Sequence, residues 1–225
     1  MNNVHVILVN GVKLWRGKSM ARRSDHTREE IKAMAIDAAG TIVEEYGFKG
    51  LSARKVAAEI GYTVGTLYLV FENLEELFLH INGRTLDQLY NAIVLAAEKC
   101  DQPKACIHAI GSAYIDFAIK NNKRWNMIFE HIHPDESHLP HWYQEKIARL
   151  FYPVEHQVAL ILGASNKDKA PILARALWCG LHGVCILAFT KKLGITGIDS
   201  VPILADSLIN NFLSGLTISC HNMEN

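Results

Sequence analysis

Residues 51–71, LSARKVAAEIGYTVGTLYLVF, contain two short apolar segments together with several small and hydroxyl-bearing residues. Gly61 separates the segments, and the order of helix, glycine and helix is typical of a helix-turn-helix. The second helix of such a pair lies in the major groove of DNA, with its first residues against base edges. Here those residues are small, and they carry hydroxyl and methyl groups that can contact bases, phosphates or thymine methyls. They are Thr63, Val64, Gly65 and Thr66.

Polar residues beside this segment are suited to hold a DNA backbone. Ser52 can cap the first short helix, whose N-terminal amides attract phosphate. Arg54 and Lys55 add positive charge there, and Tyr68 offers a phenol. The spacing by itself also fits a small helical hairpin that binds no ligand.

Aromatic residues are concentrated in the second half of the chain. An apolar lining with a few polar groups is typical of small-molecule pockets. We therefore expect a site for an unknown, hydrophobic small molecule, although each residue could instead be an ordinary core residue. The candidate contacts are Tyr114, Phe117, Trp125, Phe129, His131, Trp142, Trp178 and His182.

Catalytic motifs are missing from the sequence. It contains no G-x-G-x-x-G, no G-x-S-x-G and no H-E-x-x-H pattern. His131, His133, His138 and His141 surround the one long polar loop and could bind zinc, but loop histidines are usually only solvated. We predict that the protein is not an enzyme and holds neither a metal nor a cofactor.

The five cysteines, Cys100, Cys106, Cys179, Cys185 and Cys220, form no C-x-x-C pair. An odd number without close pairing argues against a secreted disulfide scaffold and fits a reducing cytosol. We expect buried free thiols.

Helical periodicity runs through almost the whole chain, so the predicted fold class is all-α. Thr27 to Glu30 and Asn73 to Glu76 have the spacing of capping boxes, which begin helices. Helices are predicted at 27–46, 53–60, 63–69, 73–99, 103–120, 123–132, 141–162, 168–193 and 201–217. Three short helices come first and a larger set follows. The predicted domains are 20–72 and 73–219, flanked by an N-terminal extension at 1–19 and a tail at 220–225.

Composition and charge limit the possible partners. The chain has 225 residues, 23 basic and 23 acidic, which gives a net charge of zero. Such a chain cannot hold nucleic acid by bulk charge, so a DNA contact needs a local surface.

Two apolar segments could be a signal peptide or a membrane-spanning helix. The apolar run at 4–9 is too short for a signal peptide, and we expect Met20 to be the natural start. Residues 172–189 are almost all apolar, but Arg175 and His182 lie inside that stretch. We predict a helix buried within or between subunits rather than a membrane span, and a cytoplasmic protein.

Residues 31–78 resemble the DNA-binding domain of the TetR family of bacterial transcription regulators. The resemblance implies that Ser52 and Arg54 contact the DNA backbone, that Thr63 to Thr66 face the groove and that Tyr68 contacts phosphate. The matching elements are Ala38-Ala39, Tyr46-Gly47-Phe48, Leu51-Ser52, Val56-Ala57, Gly61, Gly65-Thr66-Leu67-Tyr68, Phe71 and Leu74-Glu75-Glu76-Leu77.

Two positions depart from the family pattern. Val70 stands where the family often has histidine, and Leu74 where it usually has lysine. Each change removes a potential phosphate contact, so we expect weaker or less salt-sensitive DNA binding. Arg22, Arg23 and Arg28 could compensate as an N-terminal arm.

A late apolar helix carries Trp178-x-x-x-His182-Gly183, which resembles the C-terminal domain class named after Trp, His and Gly. Trp178 and His182 should share one helix face, and Gly180 and Gly183 should let another helix pack closely.

The last two predicted helices have wide apolar surfaces, which indicates a subunit interface. We expect a homodimer through a four-helix bundle, as reading two half-sites requires. The resemblance implies a repressor that binds a palindromic double-stranded DNA operator and is released by an effector. The alternative is a small-molecule-binding or adaptor protein of the same fold with weak or lost DNA binding.

Overall fold

The computed structural model describes residues 8–9, 12–13, 26–131, 139–198 and 200–221. Within them the chain forms ten α-helices and one short antiparallel pair of strands, β1 (Leu8–Val9) and β2 (Val12–Lys13). The helices are α1 (Arg28–Tyr46), α2 (Ala53–Glu59), α3 (Val64–Val70), α4 (Leu74–Ala97), α5 (Pro103–Lys120), α6 (Asn122–Glu130), α7 (His141–Arg149), α8 (Tyr152–Leu162), α9 (Ala170–Phe189) and α10 (Val201–His221). The prediction of an all-α fold is confirmed.

The helix starts follow from local side-chain chemistry. Thr27 and Glu30 form a complete capping box at the start of α1. The side chain of Asn73 accepts a hydrogen bond from the amide of Glu76 at the start of α4. Pro103 and Pro171 lie in the first turns of α5 and α9, where a missing amide proton costs nothing.

The predicted single helix at 141–162 is wrong, because α7 ends at Arg149 and α8 begins at Tyr152. The amides of Leu150 and Phe151 bond to carbonyls three residues back, which tightens the last turn. Pro153 then has no amide proton to continue the ladder, so a new helix starts around it.

The helices pack around two large hydrophobic cores. The first joins α1, α2 and α3 with the first turns of α4, where Leu77, Phe78 and Ile81 are buried. Met127 of α6 also belongs to this core and has no exposed surface. The second core joins the rest of α4 with α5, α6, α8, α9 and α10. Helix α4 therefore contributes to both.

The prediction of free thiols is wrong for Cys100 and Cys106. These residues face each other across the turn between α4 and α5, with Cα atoms 5.4 Å apart, and form a disulfide. Cys185 is free and buried as expected, and burial raises the pKa of its thiol to about 11. Cys179 is free but exposed, and the side chain of Cys220 lies outside the described residues. The cysteine pattern therefore does not indicate the cellular compartment.

The stretch Lys167–Phe189 is long and apolar enough to cross a membrane, and 22% of its most apolar 18-residue window is buried. Arg175 in this stretch forms an ion pair with Glu155 of α8 at 2.6 Å. Helix α9 therefore presents an exposed apolar face and a charged pair on the same protomer.

The predictions about residues 1–25, including the start at Met20 and the arm residues Arg22 and Arg23, concern a segment of which the structure describes only the two short strands. Arg28, the third arm residue, is described: its guanidinium donates to the carbonyl of Leu69 at the end of α3. In this protomer it therefore supports α3.

Candidate nucleic-acid interface and ligand cavity

The helix-turn-helix segment folds as α2, a tight turn and α3. Ser52 caps α2, and its hydroxyl accepts a hydrogen bond from the amide of Lys55 at 3.3 Å. Gly61 has φ of +74°, a left-handed backbone that favours glycine, and it turns the chain toward α3. Thr63 caps α3 by accepting from the amide of Thr66 at 3.2 Å. These local contacts set where α3 begins.

The first turn of α3 is open to solvent on one side. Thr63 and Gly65 are exposed, and Val64 and Thr66 are half-buried. The hydroxyls of Thr63 and Thr66 lie 3.0 Å apart and bond to each other. On the opposite side of the helix, Leu67 is buried in the first core. The four residues predicted to face a groove therefore stand together at one accessible helix start.

The other predicted backbone contacts surround this helix start. Arg54 and Tyr68 are exposed, Tyr68 to 51%. Lys55 is also exposed, but its ammonium donates to the carbonyl of Gly50 at 2.8 Å and lies 4.9 Å from the centre of the Tyr46 ring. Lys55 is thus held beside the turn that precedes α2.

The two departures from the family pattern have apolar surroundings. Val70 and Leu74 are half-buried and pack against the first core. Each side chain therefore contributes to the packing of the helix-turn-helix domain.

A partly open cavity of about 300 Å³ lies among α4, α5, α6, α7, α8 and α9. Most of its lining is aliphatic, with leucines and isoleucines from each side. The ring-bearing residues of the lining are Tyr114, Phe129, His131, Tyr143, Phe151 and Trp178.

The structure places four of the eight predicted ligand residues at this cavity, namely Tyr114, Phe129, His131 and Trp178. The other four pack elsewhere. Phe117 is buried in the second core, and Trp125 is fully buried beside the ring of Phe129, 4.8 Å away. Trp142 stacks on His80 at 5.0 Å and packs against the cluster of Leu79, Leu86 and Tyr143, but it does not line the cavity itself. His182 lies behind Tyr114. Contact with a ligand remains a prediction for all eight.

A polar cluster surrounds the hydroxyl of Tyr114. Nδ1 of His182 lies 3.0 Å from this hydroxyl, and the His182 ring stacks on Trp178 at 5.1 Å. Burial lowers the pKa of His182, so the imidazole is neutral near pH 7. Burial also raises the pKa of Tyr114, an effect that the neighbouring Trp178 and Trp125 side chains oppose. The indole nitrogen of Trp125 is buried and stops short of a full hydrogen bond.

A second polar point of the cavity was not apparent from the sequence. Tyr143 is 5% exposed, and burial raises the pKa of its hydroxyl to about 12. Asn82 of α4 lies beside this hydroxyl, fully buried, with neither amide atom in a full hydrogen bond. An asparagine in the middle of a long helix gives no sequence signal of burial, because asparagine is usually exposed.

His131 connects the cavity to the helix-turn-helix core. Its ring lines the cavity, and its Nε2 bonds to the carboxylate of Glu75 in the first turn of α4. The same ring packs edge-on against Phe48 and Phe78, with centroids 5.8 and 5.2 Å away. Glu75 was not predicted as a site residue, since its type and position only indicated a helix start.

The histidine-rich loop is only partly described. His133 and His138 lie outside the described residues, and His141 is exposed and pairs with Glu145 at 3.4 Å. Within the described part of the chain no three histidine, cysteine or acidic residues are close enough to hold a metal ion.

The expected packing at the glycines of α9 is confirmed within the protomer at Gly180, and at Gly183 it stays a prediction. A Cβ atom at Gly180 would lie 2.6 Å from Cδ2 of Leu208, so the glycine does permit the close approach of α10. A Cβ atom at Gly183 would meet nothing within 4 Å, because this residue faces away from the protomer.

A helix-turn-helix domain followed by a helical domain with an apolar cavity defines the class of the fold. Residues 35–81 match the family of bacterial regulatory proteins named tetR, and residues 107–211 match the tetracyclin repressor-like C-terminal domain. The chain belongs to the TetR family of DNA-binding transcription regulators, whose members in general are not enzymes. The assignment to the Trp-His-Gly class is not confirmed, because the second match is to a different C-terminal model.

Solved structures with the same fold are distant in sequence. A protein of unknown function from Rhodococcus sp. RHA1 is 19% identical over 87% of this chain and 99% of its own, with a TM-score of 0.69. The TetR-family regulator PfmR from Thermus thermophilus is 18% identical over 80% and 97%, with a TM-score of 0.56. RolR, solved with its ligand resorcinol, is 15% identical over 81% and 87%, also with a TM-score of 0.56. No curated protein is significantly similar in sequence.

Proposed function

We propose that this cytoplasmic protein is a ligand-responsive repressor that binds a palindromic operator as a homodimer and leaves it when a small apolar effector enters the cavity. One observation carries the proposal: the ring of His131 contacts both the cavity and the start of α4, directly beneath the helix-turn-helix. An occupied cavity can therefore act on the DNA-binding core.

The DNA contact is assigned to the exposed start of α3. Thr63, Gly65 and Thr66 bring small side chains and hydroxyls within reach of base edges, while Leu67 anchors the helix. Ser52, Arg54, Lys55 and Tyr68 supply contacts to the DNA backbone around it. Because the net charge is zero, these local groups have to account for the affinity.

The homodimer is assigned to the outer faces of α9 and α10. Ile172 is 71% exposed and Leu187 39% exposed, and Ala176 and Cys179 lie between them on the same face. Gly183 leaves open space for a helix of a second copy. Helix α10 contributes less than expected, because Ile209 and Leu216 pack into the second core of their own protomer. A two-fold dimer places two α3 helices about 34 Å apart, one DNA turn.

The effector is assigned to the cavity. Its volume of about 300 Å³ and its aliphatic and aromatic lining suit a small hydrophobic molecule. The fold neighbour RolR binds resorcinol, a small aromatic molecule, which supports this type of ligand for the present chain. Release requires that the effector bind more tightly to the conformation that does not fit the operator.

The test is an electrophoretic shift with the DNA that flanks the protein's own gene. We expect a sharp shift that narrows to a short palindrome and weakens with salt. Arg54→Ala should lower the slope of log Kd against log salt by about one, the effect of one lost phosphate contact. Lys169→Ala, which removes an exposed charge far from α3, should leave the slope unchanged. Absence of any sequence-dependent shift would contradict the proposal.

The alternative is an adaptor or small-molecule-binding protein of the same fold with weak or lost DNA binding. The apolar packing of Val70 and Leu74 favours it, since both family positions for a phosphate contact are used for the core. A protein that binds ligand yet gives the same weak, sequence-independent shift on every DNA would support this alternative.

A further inference from the structure

The lining of the cavity indicates the charge of its ligand. Among the described residues that line it there is no Lys, Arg, Asp or Glu. His131 is the one described lining residue with a basic side chain, and it already bonds to the Glu75 carboxylate. A charged ligand would lose its hydration here without gaining a counter-ion, which is costly. An uncharged ligand avoids this cost.

The rings of the lining indicate a flat ligand. Phe129, Phe151 and Trp178 are neighbours, with Trp178 centred 6.5 Å from Phe129 and 5.7 Å from Phe151. The Phe151 and Trp178 rings meet edge to face at 81°. Such faces and edges favour a further aromatic ring at offset or perpendicular geometry. A volume of about 300 Å³ holds a molecule of roughly ten non-hydrogen atoms, at about 30 Å³ for each water-sized group.

Tyr114 is the polar group of this part of the lining, and His182 determines which hydrogen bonds it can make. When Nδ1 of His182 is unprotonated, the Tyr114 hydroxyl donates to it and its oxygen can only accept from a ligand. When Nδ1 carries the proton, the Tyr114 hydroxyl can donate to a ligand. The neutral imidazole has both tautomers available. A ligand hydroxyl can donate and accept, so it suits both arrangements, whereas a carbonyl suits one.

The other phenol of the lining has its own neighbour. The hydroxyl of Tyr143 lies beside the buried amide of Asn82. Tyr143 packs with Leu79 and Leu86 in the aliphatic part of the lining, whereas the Tyr114 hydroxyl lies beside Trp178. Tyr114 is therefore the better partner for the hydroxyl of an aromatic ligand, and Tyr143 is a matched control.

We propose that the cavity binds an uncharged aromatic molecule with one hydroxyl group, that this hydroxyl exchanges hydrogen bonds with Tyr114, and that His182 is the positioning residue for Tyr114. The inference rests on the proposed function in one respect only: it takes the cavity to be the effector site.

The experiment compares three probes of one shape: 4-ethylphenol, ethylbenzene and 4-ethylbenzoate. Binding to the full-length protein without DNA is measured by calorimetry and by tryptophan fluorescence, since Trp178 lines the cavity. We expect 4-ethylphenol to bind about tenfold more tightly than ethylbenzene, the gain from one neutral hydrogen bond, and 4-ethylbenzoate to bind more weakly than either.

Three variants assign the hydroxyl. Tyr114→Phe should reduce the affinity for 4-ethylphenol to that for ethylbenzene, with the ethylbenzene affinity unchanged. His182→Ala should also lower the ratio of the 4-ethylphenol affinity to the ethylbenzene affinity. A variant that only damaged the fold would weaken the binding of both probes and leave this ratio unchanged. Tyr143→Phe, the same deletion elsewhere in the lining, should keep the full ratio. Retained ethylbenzene binding shows that a variant is folded.

The outcomes separate this inference from the proposed function. Equal affinities for 4-ethylphenol and ethylbenzene, tighter binding of the benzoate, or no binding of any probe would overturn the inference. Release of operator DNA by a charged effector would also overturn the inference, but it would support the proposed function as a ligand-responsive regulator. Binding of 4-ethylphenol that depends on Tyr114 but leaves DNA affinity unchanged would support the inference and contradict the regulation.

Discussion

At the scale of single residues, Gly65 separates stability from DNA binding. A Cβ atom at this position would meet only the hydroxyl oxygen of Thr63, at 3.7 Å, which is an ordinary contact. Gly65→Ala should therefore not lower the melting temperature, and the higher helix propensity of alanine could raise stability by up to about 1 kcal/mol. The new methyl group would stand between α3 and the base edges. We expect operator affinity, measured by fluorescence anisotropy, to fall about tenfold.

A fall in the melting temperature of Gly65→Ala that matches its loss of binding would show that the glycine is needed for folding. Unchanged operator affinity would show that the first turn of α3 stays away from the bases.

Two half-buried imidazoles should make stability depend on pH. Burial lowers the pKa of His80, which stacks on Trp142, and that of His182. The unfolded chain therefore takes up protons first as pH falls below about 6.5, so stability is present above this pH and is lost below it. Urea unfolding at pH 7.5 and 5.5 should show the loss, and the double variant His80→Gln, His182→Gln should lose less.

The matched control is His156→Gln, which changes an exposed histidine of α8. It should show the same loss of stability as the unaltered protein. If the double variant also behaved like the unaltered protein, other groups would be responsible for the pH dependence.

The residues of the DNA-binding surface could be predicted from the sequence more closely than those of the cavity. Thr63 to Thr66 could be predicted because a turn glycine fixes where the second helix starts. The cavity could be predicted only as a set of aromatic residues, because helical periodicity places a side chain on a buried face without saying which buried space it meets. Trp125 and Trp178 both had the right chemistry, yet only Trp178 lines the cavity.

At the scale of elements, the contact between the end of α6 and the start of α4 should transmit effector binding. Glu75→Gln keeps the size of the side chain and a hydrogen bond to His131 but removes the charge that strengthens it. We expect the affinities for operator alone and for effector alone to stay within about twofold. The factor by which effector weakens operator binding should fall about fivefold, since charged hydrogen bonds exceed neutral ones by about 1 kcal/mol.

Glu145→Gln is the matched control for this contact. It alters an exposed His–Glu pair in which both residues belong to α7, and it should leave the coupling factor unchanged. An unchanged coupling factor in Glu75→Gln would exclude this contact as the route.

The first four helices could be predicted because each begins at a side-chain cap, and α5 and α9 because each has a proline in its first turn. Helix α1, for example, begins at its capping box after Thr27 and ends before Gly47, as predicted. The break between α7 and α8 was missed because apolar residues continue through it in helical register, and proline is tolerated in a first turn. The disulfide was missed because it depends on the turn that brings α4 and α5 together.

At the scale of the whole molecule, dimer formation should be required for operator binding. Ala176→Arg places a charge in the middle of the exposed apolar face of α9. We expect this variant to sediment as a monomer at micromolar concentration while retaining its cavity ligand. Its operator affinity should fall by two orders of magnitude or more, because the two half-sites no longer bind as one unit.

Leu95→Arg is the control for a charge at an exposed apolar position, since Leu95 is 54% exposed on α4. It should sediment as the unaltered protein does. A monomeric unaltered protein, or a dimeric Ala176→Arg variant, would contradict the assigned interface.

The sharing of α4 between the two cores limits how such proteins can be recombined. A chimera joined at Glu72 would take its DNA-binding half from one parent, but Leu77, Phe78, Ile81 and Met127, which fill that half's core, from the other. The graft would have to carry the first two turns of α4 and the Met127 position with it. New operator specificities should therefore be easier to install by changing the exposed residues of α3 than by exchanging whole domains between homologues.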